Sequence, residues 1–159
     1  MKKKKDPAEQ FLELSARLTG FERVELQGTG LSEEYYRQLV GVIGKELCDE
    51  LCLLSSRLIE EFHDDEDELN AAIRRQIMAS AKFGPVARNI IQMWYLGSWI
   101  QMPPGWRSQF GTAPNDVTRV ISAEGYIQSL VYNVMGAHPP AAKQPGFGSW
   151  GQPPDSDPL

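Results

Sequence analysis

Apolar residues recur at a helical period along most of the chain, and the breaks between periodic stretches mark its elements. Asp6-Pro7-Ala8-Glu9 combines a capping acid, a proline suited to the first helical position, and an acid where a capping box wants one. Phe11, Leu14 and Leu18 then repeat on one face until Gly20, which predicts a first helix ending there. Residues 21–31 read as a turn-rich connection with Val24 and Leu26 packing down. Ser32 at a cap, followed by Glu33 and Glu34, opens a second helix. Its stripe runs through Leu39, Ile43, Leu47, Leu51, Leu54 and Leu58 to about Phe62, with a break expected near Gly41 and Gly44.

The acidic run from Glu60 to Glu68 lacks the glycine and ligand spacing of a calcium loop. It reads as a solvated connection that caps the next helix, whose apolar face continues through Leu69, Ile73, Ile77 and Ala81. Phe83-Gly84-Pro85 punctuates the chain, and Val86, Ile90, Ile91, Trp94 and Tyr95 form a further amphipathic stretch. Residues 103–121 have loop chemistry with a short strand at Val117–Ile121. Ser122 caps a last helix bearing Tyr126, Ile127, Leu130, Val131 and Val134, which Gly136 closes. Beyond it, prolines and glycines replace any period. The pattern predicts an all-α protein, a small irregular bundle of four to six helices over residues 7–136. A basic tail (residues 1–6) precedes it and an extended Pro/Gly-rich tail (residues 137–159) follows, the latter expected to lie along a partner.

A length of 159 residues suits one domain with a real core. The formal net charge of −5 disfavours a nucleic-acid binder, which needs a basic surface. No run approaches the roughly 18 apolar residues of a membrane span, and Lys2–Lys5 have no apolar segment behind them to make a signal peptide. On that ground a cytoplasmic location stays open, and with it the alternative reading of a free-standing helical adaptor protein. Cys48 and Cys52 lie four apart on one helix face, where a bridge would strain the helix. They read first as buried, reduced thiols, then as a redox or intersubunit pair, and last as metal ligands, since neither His63 nor His138 sits in a suitable pattern.

No catalytic constellation stands out: there is no nucleophile elbow, no HExxH and no cluster of histidines. Gly146, Gly148 and Gly151 match a dinucleotide fingerprint in form only, since prolines flank them and no βαβ unit surrounds them. Gly28-Thr29-Gly30 is a weak candidate for presenting amides to an anion. The reading is therefore of a chain with no catalytic, cofactor-binding or metal-binding residue of its own. Aromatic residues are the stronger lead. Trp94, Tyr95, Trp99, Trp106 and Phe110 gather around one helix end and its loop, suiting either this chain's core or an interface. Phe147 and Trp150, on a segment with few apolar neighbours, favour an interface.

Four stretches, in order, carry a family resemblance. Phe11-Leu12-Glu13-Leu14-Ser15-Ala16-Arg17-Leu18-Thr19-Gly20 resembles the opening helix of the small-subunit family of membrane-bound, FAD-dependent sorbitol, fructose and glucose dehydrogenase complexes. Asn89-Ile90-Ile91-Gln92-Met93-Trp94-Tyr95-Leu96-Gly97 is similar to its central "A-W-Y-x-G" helix. Gly125-Tyr126-Ile127-Gln128-Ser129-Leu130-Val131-Tyr132 resembles its later "Y-x-x-A-L-M-Y" helix, and Gln144 to Pro154 its closing "G-P-x-x-W-x-x-P-P" stretch. The resemblance implies a helical subunit without a cofactor, partnered by a large subunit that carries FAD and oxidises a sugar, polyol or sugar acid. It also implies, in many such complexes, a multihaem cytochrome c subunit and a periplasmic place at the inner membrane. The sequence departs from the family in having no twin-arginine leader, and in having His138 to Lys143 where the family carries a tyrosine-bearing segment.

Overall fold

The computed structural model describes residues 6–137 and 139. Its first helix, α1 (Pro7–Thr19), starts as its sequence dictates: Asp6 caps it by accepting from the Ala8 amide at 3.3 Å, and Gly20 ends it in the left-handed region at φ 77°. The connection after it holds a helix the periodicity did not predict, α2 (Arg23–Gly28). Two glutamates build its capping box, and the Glu22 amide donates to Glu25 Oε2 at 2.8 Å. Leu26 packs down as expected, but Val24 points to solvent.

The long leucine stripe is two helices, α3 (Ser32–Ile43) and α4 (Lys45–Glu61), hinged at Gly44. At φ 86° and ψ 155° that residue occupies a region open in practice only to glycine. Leu31 occupies the cap of α3, and the Ser32 hydroxyl, expected to fill that role, is buried without a partner among the described residues. Asp65 caps α5 (Glu66–Ile73) by accepting from the Glu68 amide, so the acidic run does begin the next helix. That helix widens into a π turn over Arg74–Met78 and stops short of Ala81. Next come α6 (Gly84–Leu96), strand β1 (Ser98–Trp99), α7 (Pro104–Phe110), strand β2 (Arg119–Val120), α8 (Ala123–Ile127) and α9 (Leu130–Met135). β1 and β2 pair antiparallel, Ser98 opposite Val120 and Trp99 opposite Arg119.

The mainly helical class matches the periodicity, whereas the described residues hold more helices than four to six. The excess lies in short helices without a full apolar stripe, and in the split of the last helix at Gln128–Ser129. α1 sits at the centre and packs on α2, α3, α4 and α6. Phe11, Leu14, Leu39, Leu51, Leu58 and Ile90 are all fully buried, so the expected core stripes do form the core. Burying each such side chain contributes about 1.5–3 kcal/mol.

The segment from Ile100 to Thr118 is irregular outside α7, yet it is pinned. Asn89 of α6 grips the Ile100 backbone from both sides, donating to its carbonyl at 2.8 Å and accepting from its amide at 2.9 Å. Asp116, only 4% exposed, accepts from Trp99 Nε1 at 2.9 Å and from the Met102 amide at 3.1 Å. A buried carboxylate is tolerable only when bonded in this way. Replacing it, Asp116→Ala, leaves two buried donors unpaired and is expected to cost about 3 kcal/mol in urea unfolding. Asp116→Asn, which keeps an acceptor oxygen, is expected to cost about a third of that.

Candidate functional site

Trp94, Trp99 and Trp106, singled out as partner contacts, turn inward. Trp94 and Trp99 are essentially inaccessible, and Trp106 is 5% exposed. Trp94 meets Tyr35 edge to face, with centroids 4.9 Å apart. Trp99 is bonded to Asp116, and Trp106 Nε1 donates to the Lys82 carbonyl at 2.8 Å while its ring packs on Phe110 at 5.1 Å. Tyr95, partly buried, packs on Phe21 and donates its hydroxyl to the Thr19 carbonyl at 2.8 Å. The interface expectation for Trp94, Trp99 and Trp106 is thereby corrected: these rings complete the chain's own core, because each finds an apolar wall or a polar partner within the chain. Phe147, Trp150 and the formal glycine fingerprint lie outside the described residues, as do most of the expected docking tail and Lys2–Lys5.

What they build is a junction at the C-terminal end of α6. Gly97 takes a left-handed conformation at φ 64° and ends the helix. A Cβ there would stand 2.4 Å from the Gly125 carbonyl oxygen of α8, so only glycine permits the approach. Its carbonyl accepts from the Ile121 amide at 2.9 Å. Gly125 in turn faces Tyr35, whose hydroxyl would lie 3.1 Å from a Cβ at that position. Burial, then the Glu34 carboxylate, push the Tyr35 phenol well above its ordinary value, so it stays neutral. The end of α6 thus joins two stretches far from it in sequence: Tyr95 ties it to the end of α1 at Thr19, and Gly97 brings it against α8 at Gly125.

Around this junction the structure exposes apolar residues that the sequence pattern did not single out as a surface. Leu96, Ile100, Val117 and Val120 lie in or next to the strands of the β-ribbon, Tyr126 lies on α8, which packs on β2, and Val134 and Met135 lie on α9, which packs on α6. Val134, read from its spacing as a core position, is 63% exposed because the break at Ser129 rotates α9 away from the extrapolated face. Exposed apolar groups of this kind are candidates for contact with another protein.

Elsewhere the chemistry is compensated. Thr29 and Gly30 amides bond to the end of α2, and Glu33 and Glu34 line the adjoining hollow, so this loop does not offer an anion site. One surface cleft between α1, α2 and α5 is polar, but its Arg17 pairs with Glu66 at 2.8 Å and its Arg23 with Glu13 at 3.1 Å. His63 is exposed beside Asp64. Among the described residues no group of three or more His, Cys, Asp or Glu side chains is placed to hold a metal, and no helix is long and apolar enough to cross a membrane. Comparison with family models, curated proteins and solved structures returns no match.

The junction makes a specific demand. Gly97→Ala forces a left-handed alanine, costing about 1–2 kcal/mol, into a contact whose overpacking costs about 1–3 kcal/mol. Destabilisation by about 3 kcal/mol in chemical unfolding is the expected outcome, against less than 1 kcal/mol for Gly105→Ala, where a Cβ meets nothing within 4 Å.

Proposed function

We propose that this chain is a non-catalytic helical subunit that folds with, and stabilises, the FAD-containing catalytic subunit of a sugar, polyol or sugar-acid dehydrogenase complex. The observation that carries the reading is the junction. Three of the four stretches that resemble the small-subunit family are joined through the second: its Tyr95 bonds to Thr19 of the first, and its Gly97 approaches Gly125 of the third. Residues that look alike for a shared structural reason are those that must fit together, and these do.

In this reading flavin and substrate chemistry belong to the partner, and the chain supplies a folding template and a docking surface. The exposed apolar residues beside the ribbon supply part of that surface, and Phe147 and Trp150 of the C-terminal segment supply its anchors. Pro-rich chain loses less entropy on docking than a flexible one, which favours such a segment as a clamp. The complex sits at the periplasmic side of the inner membrane, with a multihaem cytochrome c as electron outlet where one is present.

Co-expression with a large FAD-dependent sugar or polyol dehydrogenase subunit tests the proposal. The full chain is expected to retain that protein, with its FAD and sugar-oxidising activity, through affinity and size-exclusion steps. A chain ending at Gly136 is expected to keep its helical circular dichroism but lose the flavoprotein. One equivalent of flavin held by the isolated chain after dialysis, or failure of the full chain to retain the flavoprotein, overturns it.

A further inference from the structure

Cys48 and Cys52 stand one turn apart on α4, both essentially inaccessible in the core. The neighbouring Cys52 thiol, followed by burial, pushes the Cys48 thiol far above its ordinary value. Both features disfavour the thiolate, which is the reactive form. Helix geometry adds a second barrier. Residues four apart on a helix hold their Cβ atoms about 5–6 Å from each other, whereas a disulfide requires about 3.5–4.5 Å. Closing that gap means unwinding α4 at Leu51, whose side chain is fully buried. The unfolded chain has neither protection: its thiols return to a pKa of about 8.5, and the short loop between them closes readily.

We propose that Cys48 and Cys52 form a fold-gated dithiol, inert while α4 is packed and converted to an intrachain disulfide only on the opened chain, which then cannot rebuild α4. The oxidant is a small-molecule disulfide such as glutathione disulfide. One cysteine thiolate attacks it, forming a mixed disulfide and releasing one thiol. The second cysteine thiolate attacks the protein sulfur of the mixed disulfide, closing the bridge and releasing the other thiol. Two protein thiols are oxidised, the reagent is reduced to two thiols, and the two protons go to solvent or to the leaving thiolates. Such a device makes folding a condition for surviving an oxidising compartment, because chains that open there are removed from the folding equilibrium. The chemistry stands on the packing of α4 and holds whatever the partner is, while its consequence in an oxidising compartment rests on the periplasmic location proposed above.

The full chain is tested with glutathione disulfide in native buffer and in guanidinium, followed by mass and by helical circular dichroism. In native buffer both thiols are expected to stay free, reacting at least about a hundred-fold more slowly than in denaturant, as buried groups that react only through opening do. A chain oxidised while unfolded is expected to have lost two hydrogens and to recover its helical signal on dilution only after dithiothreitol is added. Reaction in native buffer at the unfolded rate overturns the proposal, and so does a bridged chain that regains the melting temperature of the reduced one.

Discussion

The close approach of α8 to the end of α6 is the constraint on which the C-terminal half of the fold depends. Gly97 ends α6 in a left-handed turn, and the space where its side chain would be is taken by the Gly125 backbone. That contact fixes where β2 and α8 lie, and with them the ribbon that seats Trp99 against Asp116. Tyr95, two residues before Gly97, ties the same helix end to the last turn of α1. Because α1 also packs on α3 and α4, a single helix terminus links both halves of the bundle.

This arrangement is not free of strain. Tyr35 and Trp94 pack edge to face at its centre, and neither the phenol hydroxyl nor the indole nitrogen finds a partner among the described residues. Leaving a buried polar atom unpaired costs about 1–3 kcal/mol. The aromatic contact area and the edge-to-face geometry offset part of that cost. Two large rings with polar handles tolerate such a position only where packing is tight around them, and both are essentially inaccessible. The pinned loop shows the opposite solution, since each polar atom of Asp116 and Asn89 that points inward is used to hold backbone or indole.

Where a helix had both a full apolar stripe and side-chain punctuation, the sequence made it legible. α1 was readable from Asp6, Pro7 and Gly20, and α6 from Gly84-Pro85 and its run of apolar residues. α2 escaped because its six residues contain one buried apolar side chain and its cap is a glutamate rather than a hydroxyl or aspartate. The split between α8 and α9 escaped because Gln128-Ser129 carries no glycine or proline, so the spacing extrapolated straight through and put Val134 on the wrong face. The aromatic cluster was visible, but composition alone cannot separate a core from an interface. Trp99 became core through Asp116, seventeen residues away, and no local pattern announces such a pairing. The Gly97–Gly125 approach was equally hidden, although both glycines lay in stretches that carried the family resemblance.

The α6 terminus thus belongs to the global folding unit and is not a surface turn. Native-state hydrogen exchange tests it most directly, at the amides of Gly20, Gly97 and Ile121, which bond to Ala16, Met93 and Gly97 respectively. The account predicts that all three exchange with the free energy of global unfolding, alongside amides in the middle of α4. Exchange of Gly97 and Ile121 through a low-energy local opening, while α4 stays protected, would contradict it.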